Sequence, residues 1–417
     1  MKRIIILGDG MSDLPVERLG GKTPLMVARK PHMDRIAREG RVGRLRTVGE
    51  TGPSDSAVAN LAVLGYDASV SKEGRAVLEA ASMGVDIRTG DVALRCNLVC
   101  LEGPAHDLRI RNHSAGHITS TEAAEIINRL DQELGGGRGP VPVKFYPGVS
   151  YRHLLVLPGG WASSALECAP PHDNVGRPAE ELLPRPFPGL PEPEAERAAL
   201  TAERLVELHH RAAEILADHP VNAARRAKGL DEANSIWTWS PGRRPTMATL
   251  EERFGLKGAV ISAVDLIMGL GVYAGLAVIR VPGATGLHDT NYEGKAQACL
   301  DALEDHDFVY VHVEATDEAG HARDLDLKIR CIEYLDERLV RHILEGLEAR
   351  GVEAAIAVLP DHPTPVETGQ HGRDPVPVAI RWPGETPDDA QGYDEVQALN
   401  GSLGLMEGDQ FIKRMLG

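Results

Sequence analysis

The sequence predicts an α/β protein with a doubly wound core that is discontinuous in sequence and carries an inserted α+β segment. Three short apolar runs rich in β-branched residues support the core: Arg3–Gly8, Phe308–Val313 and Ala354–Leu359. Uninterrupted apolar runs of this length are typical of parallel strands that are buried on both faces. Helix-type segments alternate with these runs near both ends of the chain, whereas the pattern changes between residues 91 and 255. We therefore expect a core built from two separated pieces.

Residues 1–90 and 256–417 are the two pieces of the predicted core. In the first piece, the strand Arg3–Gly8 precedes a helix around Leu25–Glu39, a short strand near Gly43–Arg46 and a helix that starts just after Ser54. The second piece continues the alternation with a helix at about 262–273, a strand at 276–281, a helix at 293–304, a strand at 308–313, a helix at 326–350, strands at 354–359 and 376–381, and a final helix. Such alternation is the pattern of a doubly wound sheet.

Residues 91–255 are predicted to form an inserted α+β cap domain. Two strand-like runs, Asp91–Leu101 and Tyr151–Leu157, flank a helix at Ser120–Leu134 that begins with serine and threonine. The proline-rich stretch Pro184–Pro193 interrupts the chain, and a long helix follows at Glu194–His219. This mixture of strands and helices lacks the regular alternation of the core.

Composition restricts the partners and the compartment. The chain has 45 lysines and arginines against 61 acidic residues, a net charge of −16, and no basic run, so we expect no nucleic-acid partner. Five cysteines without a CxxC pair fit a reducing cytoplasm better than a disulfide framework, and we expect no secretory signal, because an apolar strand is predicted from Arg3 onwards. The apolar segment Gly258–Val281 contains Asp265 and several glycines, so we expect a buried helix and strand there and no membrane partner.

Carboxylates and histidines follow each of the three apolar runs. In chain order they are Asp9, Asp317, His321, Asp361, His362 and His371. The carboxyl ends of strands in an open α/β sheet form its ligand site, so we expect these side chains to meet. Oxygen and nitrogen donors of this kind suit Mn²⁺, Zn²⁺, Co²⁺ or Mg²⁺, and there are enough for two ions. A single Asp–His pair is more often a surface feature, but the combination indicates a catalytic metal centre.

Two serines lie where a Gly-Pro loop opens into a helix. Ser54 and Ser56 belong to the stretch Thr51–Asn60. The free N–H groups and the dipole of a helix N-terminus stabilise anions, and a serine beside two metal ions can be deprotonated and attack phosphorus. The alternative is that both serines are ordinary N-caps, which is the commonest role of serine at this place.

Arginines are the candidates for binding an anionic substrate in so acidic a protein. The four that we single out are Arg95, Arg152, Arg243 and Arg244. A guanidinium group can bind a carboxylate or a phosphate through two parallel hydrogen bonds. The alternative for each of them is a solvated surface charge.

Long motifs extend these patterns. Around the metal-type residues they are Asp9–Asp13 (DGMSD), Ser56–Asp67 (SAVANLAVLGYD), Asp317–His321 (DEAGH), Asp361–His362 and His371 with Asp374–Pro377. Elsewhere they are His113–Ile118, Gly148–Leu155, Pro170–Asn174 and Val281–Ala296. Together they resemble the alkaline phosphatase superfamily, and more closely the cofactor-independent phosphoglycerate mutases of archaeal type and their bacterial relatives. The resemblance covers nearly the whole chain and implies an alkaline-phosphatase-like core.

The resemblance also implies roles for individual residues. Two divalent ions would be bound, with Mn²⁺ as the first candidate and Mg²⁺, Co²⁺ or Zn²⁺ as alternatives. One ion would be held by Asp9, Ser56, Asp361 and His362, and the other by Asp317, His321 and His371. The nucleophile of the family matches Ser56, with Ser54 as the second candidate. His117 matches a histidine that holds substrate phosphate, and Arg243 and Arg244 match an arginine-rich substrate loop. Lys257 is a candidate for the phosphate-facing lysine.

The activity implied by the resemblance is the interconversion of 3-phosphoglycerate and 2-phosphoglycerate through a phosphoserine, a glycolytic and gluconeogenic reaction without 2,3-bisphosphoglycerate. The alternatives are another phosphotransferase on the same core, such as a homoserine kinase, a phosphomonoesterase, and a non-catalytic metal-stabilised binding protein. The stretch Leu19–Thr23 resembles the end of a P-loop, but the motif requires a glycine five residues before Gly21, where this chain has Val16. The kinase alternative therefore has no support from a P-loop, and the lack of a P-loop does not exclude it. The sequence defines neither the physiological metal nor the oligomeric state.

Overall fold

A computed structural model describes residues 1–51, 54–67, 75–139 and 141–416. Gly52 and Pro53, which form the loop predicted before Ser54, lie outside the described residues. The strands are β1 (Lys2–Gly8), β2 (Arg41–Leu45), β3 (Val92–Glu102), β4 (Arg109–Asn112), β5 (Lys144–Tyr146), β6 (Arg152–Leu157), β7 (Leu166–Glu167), β8 (Arg185–Pro186), β9 (Ser235–Gly242), β10 (Gly258–Ile261), β11 (Ala277–Ile279), β12 (Phe308–Val313), β13 (Ala354–Leu359), β14 (Val376–Arg381) and β15 (Gly404–Met406).

The helices are α1 (Pro24–Val27), α2 (Pro31–Arg38), α3 (Ser56–Val63), α4 (Arg75–Ser82), α5 (Ser120–Leu134), α6 (Glu194–Ala217), α7 (Pro220–Ala227), α8 (Leu250–Phe254), α9 (Asp265–Tyr273), α10 (Tyr292–Asp305), α11 (Ala315–His321), α12 (Leu325–Tyr334), α13 (Arg341–Arg350), α14 (Glu395–Leu399) and α15 (Gln410–Leu416). A π-helical turn, Leu335–Val340, joins α12 to α13. By internal packing the chain divides into two compact units, residues 1–72 with 246–417, and residues 73–245. These units are defined by packing within each of them, and their bounds differ from the predicted ones. The domain boundaries at residues 90 and 255 stay a prediction.

The first unit is built on an eight-stranded sheet in the order β11-β10-β12-β1-β13-β14-β2-β15. The central strand β1 pairs in parallel with β12 on one side and with β13 on the other. Ile4 and Ile6 belong to a core cluster with residues of α2, α10, α12 and α13, and the alternating Ile5 and Leu7 are equally buried. Successive side chains of a strand point to opposite faces, so both faces of the sheet are covered. This arrangement confirms the predicted doubly wound α/β core.

The sheet is mixed on the far side of β13. Strand β14 is antiparallel to both β13 and β2, and β15 returns in parallel to β2. The helix expected around Leu25–Glu39 is interrupted: α1 and α2 are separated by residues 28–30, and Pro31 begins α2. Proline has no N–H to donate and disfavours a helical residue before it, so it starts a new helix here.

The second unit contains an antiparallel sheet in the order β4-β3-β6-β5, and β9 also pairs with β3. Helix α5 begins with a capping box, in which Thr119 and Glu122 satisfy each other's backbone N–H groups. Apolar residues of α5 and α6 form a core cluster with those of β3 and β6, including Leu94, Ile127 and Leu205. An antiparallel sheet packed against helices makes this an α+β unit, as expected for the insert.

The long apolar segment 258–281 folds as β10, α9 and β11. Asp265 is the first residue of α9, where the negative charge of its carboxylate interacts favourably with the helix dipole. In the described ranges, no helix combines the length and the apolar character that crossing a membrane requires.

Candidate metal centre

The parallel register brings three strand ends to one edge of the sheet. Leu7 of β1 lies opposite both His312 of β12 and Leu359 of β13, so the three strands end at the same level. Asp9 follows β1 directly, and Asp361 follows β13 after one proline. Asp317 is the third residue of α11, the short helix that follows β12. The residues predicted to meet at this edge do so.

The first group of metal-type side chains is Asp9, Asp361 and His362, whose donor atoms lie within 4.8 Å of one another. His362 Nε2 is 3.4 Å from Asp9 Oδ1 and 3.5 Å from Asp361 Oδ2, and all three side chains are fully buried. Ser56 Oγ lies 3.3 Å from the same His362 nitrogen. The serine hydroxyl therefore faces the group rather than solvent alone.

The second group is formed by Asp317, His321 and His371. Asp317 Oδ2 is 3.1 Å from His321 Nε2, one helical turn further along α11, and Asp317 Oδ1 is 3.6 Å from His371 Nε2. The two imidazole Nε2 atoms approach each other to 2.9 Å. Each imidazole turns its Nδ1 to a backbone carbonyl, that of Gly369 for His321 and that of Ser54 for His371. These outer hydrogen bonds aim both Nε2 atoms at the carboxylate.

The electrostatics of the groups fit divalent cations. Burial, and next the charge of Asp361, raise the pKa of Asp9 well above its usual value. Asp9 Oδ1 has no hydrogen-bond partner among the described residues although it is buried. Burial also acts to raise the pKa of Asp317, but hydrogen bonds from His321 and His371 hold it well below the usual range. Clustered buried carboxylates with an unsatisfied oxygen are costly without a compensating cation, and this donor set can hold one.

Helix α3 presents Ser56 at its first residue. Asp55 is the N-cap, and its carboxylate accepts the backbone N–H of Val58, so neither Ser54 nor Ser56 caps the helix. One turn later, Asn60 donates from Nδ2 to both the Ser56 carbonyl and Asp361 Oδ2, each at 2.8 Å. This amide ties the serine-bearing turn to a metal-type carboxylate. Its own carbonyl oxygen accepts from a buried tyrosine hydroxyl of β12.

Sequence reasoning missed a second layer of buried polar residues. His312 lies inside the apolar run of β12, and its Nε2 is 3.0 Å from Asp9 Oδ2. Lys295 donates to the His312 carbonyl at 3.0 Å, and burial lowers its pKa to about 8. Burial, and next the charge of Asp317, raise the pKa of Glu314 to about 7. The available signal was the ionisable residues in His312–Glu314, directly before the recognised motif.

Lys257 was the wrong candidate for a lysine at this centre. It precedes β10, and its carbonyl accepts the backbone N–H of Asp307 just before β12 begins. Both positions are at the amino ends of their strands, whereas the centre lies at the carboxyl ends. Lys295 and Lys328 are buried lysines on the centre's side of the sheet, through contacts with the carbonyls of His312 and Thr364 respectively.

Two of the arginines singled out lie on strands of the second unit. Arg95, on β3, pairs with Glu79 at 3.0 Å and stacks on Trp239 at 4.1 Å from the ring centroid. Arg152 is the first residue of β6, and its guanidinium carbon lies 5.9 Å from the ring centroid of Tyr151. The guanidinium of Arg95 is thus held in place by protein partners.

The other substrate-binding candidates lie in loops or at a strand end of the same unit. His117 has a left-handed backbone, with φ of +53°. Arg243 follows β9 and donates to the carbonyls of Gly90 and Ala162, and Arg244 pairs with Asp86 at 2.9 Å. Their role toward a substrate stays a prediction.

The fold and the site together define a doubly wound α/β protein with a carboxylate–imidazole centre at the ends of its central strands. The family profile described as 2,3-bisphosphoglycerate-independent phosphoglycerate mutase matches residues 37–222. A curated relative of that description from Methanothrix thermoacetophila is 47% identical and is aligned over 100% of both chains. The chain belongs to the family of 2,3-bisphosphoglycerate-independent phosphoglycerate mutases, which confirms the resemblance drawn from its motifs.

Further relatives are similar to this chain over nearly its whole length. A mutase of the same description from Methanosarcina acetivorans is 46% identical over 99% of this chain and 98% of its own. The solved cofactor-independent phosphoglycerate mutase from Thermoplasma acidophilum is 28% identical, with a TM-score of 0.72 over 100% and 99% of the two chains. A solved protein from Pyrococcus horikoshii superposes with a TM-score of 0.79 at 28% identity, over 100% and 96%.

We expect the affinity of the metal-free chain for Mn²⁺ to rise between pH 7 and pH 9. The hydrogen bond to Asp317 raises the pKa of His321 to about 9, so a metal ion bound through His321 would have to displace a proton below that pH. Release of one proton corresponds to about tenfold tighter binding per pH unit, and the rise ends above the pKa. Titration with Mn²⁺ followed by electron paramagnetic resonance at pH 7, 8 and 9 measures this slope.

The same raised pKa makes the metal-free fold less stable as pH rises, whereas it makes Mn²⁺ binding tighter. The folded-state value lies above the usual 6.5, so the stabilisation is complete below pH 6.5 and is lost as pH rises through about 9. The control is His321→Asn, which should flatten both profiles. Mn²⁺ affinity that is independent of pH over this range in the unaltered chain would contradict the assignment of His321.

Proposed function

We propose that this protein interconverts 3-phosphoglycerate and 2-phosphoglycerate through a phosphoserine on Ser56, with two divalent ions and without 2,3-bisphosphoglycerate. The observation that carries the proposal is the position of Ser56 Oγ, 3.3 Å from His362 Nε2 at the start of α3, in a chain of this family. The substrate is a small phosphorylated acid. A cytoplasmic location is part of the proposal, supported by five free cysteines.

The proposed ligands follow the two groups. Asp9, Ser56, Asp361 and His362 would hold one ion, and Asp317, His321 and His371 the other. Mn²⁺ is the first candidate, and the donor set also suits Mg²⁺, Co²⁺ or Zn²⁺. Ions bound there lower the pKa of a serine hydroxyl and neutralise charge on phosphoryl oxygens.

The residues of the chain account for the transfer. Ser56 gives up its hydroxyl proton and Oγ attacks phosphorus. The new bond forms as the bond from phosphorus to the substrate oxygen breaks, and the departing alkoxide takes up a proton, so no proton is gained or lost in this half-reaction. The N-terminus of α3 favours the negative charge of the phosphoryl group. In the second half, the other hydroxyl of the retained glycerate loses its proton and attacks the phosphoserine, which frees Ser56 Oγ. Glycerate must stay bound from the first half-reaction to the second, because water would otherwise attack the phosphoserine in its place.

Binding of the glycerate carboxylate and hydroxyls is assigned, within this proposal, to cationic residues of the inserted segment. They are Arg95, Arg152, Arg243, Arg244 and His117. Bidentate guanidinium groups suit a carboxylate, and a histidine can donate to a phosphate or a hydroxyl oxygen. In a protein of net charge −16 such a local cluster is needed to attract an anion.

An enolase-coupled assay tests the proposal. Purified protein with Mn²⁺ and 3-phosphoglycerate, and no bisphosphoglycerate, should form 2-phosphoglycerate steadily, and a chelator should stop the reaction. Release of inorganic phosphate in place of 2-phosphoglycerate would show a phosphomonoesterase. If Mn²⁺ is bound and neither product forms, the mutase is rejected, and homoserine with a nucleoside triphosphate tests the kinase alternative.

A further inference from the structure

Thr364 lies between the two groups of metal-type side chains. It is fully buried, and its Oγ1 donates a hydrogen bond to Asp317 Oδ1 at 2.5 Å. The same oxygen lies 3.2 Å from His362 Nδ1. Asp317 belongs to one proposed ligand set and His362 to the other. One hydroxyl group therefore contacts a ligand of each proposed ion.

The hydroxyl can satisfy both contacts in only one way. It carries a single proton, and an ionised carboxylate can only accept, so the proton points to Asp317. The hydroxyl oxygen must then accept from His362, which places the imidazole proton on Nδ1. His362 Nε2 keeps its lone pair, and this is the nitrogen that lies 3.4 Å from Asp9 and 3.3 Å from Ser56. A histidine binds a metal through such an unprotonated nitrogen, and the hydrogen bond at the other nitrogen decides which one it is.

A buried lysine holds Thr364 in this position. Lys328 Nζ donates to the Thr364 carbonyl at 2.8 Å, to the Ser12 carbonyl at 3.0 Å and to Asp13 Oδ2 at 2.7 Å. All three ammonium protons are used, and both charged groups are fully buried. The ion pair thus joins the loop after β1 to the loop after β13.

The backbone at Gly10 packs closely against the Thr364 hydroxyl and the Asp317 carboxylate. Gly10 has a left-handed backbone, with φ of +58°, and a Cβ there would lie 2.5 Å from both Thr364 Oγ1 and Asp317 Oδ1. The hydroxyl and the carboxylate are therefore confined against the chain immediately after Asp9.

We propose that Thr364 is a positioning residue that fixes the tautomer of His362 and links the ligands of the two ions, so that binding of one ion orders the site of the other. The inference rests on the metal ligands named in the proposed function. Thr364→Val keeps the shape of the side chain and removes the hydroxyl, whereas Thr364→Ser keeps the hydroxyl. Outer hydrogen bonds of this kind change metal affinity by about 10- to 100-fold.

The test is a Mn²⁺ titration of the full-length, chelator-treated chain, followed by electron paramagnetic resonance. Thr364→Val should bind Mn²⁺ about 10- to 100-fold more weakly and lose cooperativity between the two ions, and Thr364→Ser should restore both. The matched control is Thr238→Val, which removes another buried threonine–histidine contact, 2.9 Å from His209 Nε2 in the second unit. It should leave Mn²⁺ binding unchanged.

A spectroscopic readout separates positioning from packing. In ¹⁵N-histidine NMR of the metal-free chain, His362 should be the Nδ1–H tautomer, and Thr364→Val should shift it towards a mixture. Tight cooperative binding by Thr364→Val, or equal loss in Thr364→Ser, would overturn the inference. Failure of the proposed function looks different: an unaltered chain that binds two Mn²⁺ ions in a Thr364-dependent way but converts no 3-phosphoglycerate rejects the mutase and supports the positioning role.

Discussion

Replacing Ser56 with alanine should lower mutase activity by about 10⁴- to 10⁶-fold, which is the range for loss of a covalent nucleophile. Ser54 contacts the second group through its backbone carbonyl, and the hydroxyl of Thr364 already contacts Asp317 and His362. The fold should tolerate the change. The cap of α3 is the Asp55 carboxylate, and Asn60 bonds to the backbone carbonyl of residue 56, so neither contact involves the serine hydroxyl. The measurement is the enolase-coupled rate with saturating Mn²⁺.

Ser54→Ala is the matched control for this substitution. It removes the same atom two residues away and should keep the rate within about threefold, because the contact of Ser54 with His371 is made by the backbone carbonyl, which alanine retains. Metal content by elemental analysis and thermal unfolding should match the unaltered chain in both variants, apart from weaker binding at the ion that Ser56 would contact. Full activity of Ser56→Ala together with inactive Ser54→Ala would move the nucleophile to Ser54. Full activity of both would exclude a phosphoserine at either position.

The sequence was sufficient to predict the central sheet. The runs that became β1, β12 and β13 are short, largely apolar and rich in β-branched residues, which is typical of buried parallel strands. Once their parallel order is accepted, the residues just after them must come to one edge. This is why Asp9, Asp317 and Asp361 could be placed together without any knowledge of distances.

The helix break and the far side of the sheet were harder to predict. The proline that begins α2 is compatible with either a helix start or a kink, and only the packing of α2 on the sheet decides between them. Strand β14 is also mostly apolar, apart from Pro377 and Arg381, but it runs antiparallel to β13. Strand direction depends on the length and path of the connection, and composition does not record it.

The residues that support the site were not predictable, because their roles depend on partners far away in sequence. Asn60 and Thr364 are neutral polar residues of types that are common everywhere, and they matter here through bonds to Asp361 and Asp317. His312 lies within an apolar strand, where a histidine is more often a buried neutral residue than part of a site. Burial lowers its pKa to about 3, which agrees with a neutral imidazole beside Asp9.

Asp317→Asn should reduce Mn²⁺ binding from two ions to one and lower mutase activity at least about 10³-fold. The carboxylate is the centre of the second group, with His321, His371 and Thr364 all within 3.6 Å of its oxygens. An amide keeps the shape but removes the charge, and its NH₂ group turns donors towards imidazole nitrogens that must bind a cation. Loss of electrostatic stabilisation by one ion is worth several kcal/mol in a transition state with developing phosphoryl charge.

Glu318→Gln is the matched control, since it makes the same change one residue away on the exposed side of α11. It should bind two ions and keep its rate, which separates the position of the carboxylate from the general loss of a negative charge. The number of ions that Asp317→Asn binds also tests the division of the ligands into two sets. If Asp317→Asn kept two tightly bound ions, Asp317 would not be a ligand. The ion that remains should bind about 10- to 100-fold more weakly than in the unaltered chain, because Thr364 contacts both Asp317 and His362, and an unchanged affinity for that ion would show that the two sites are independent.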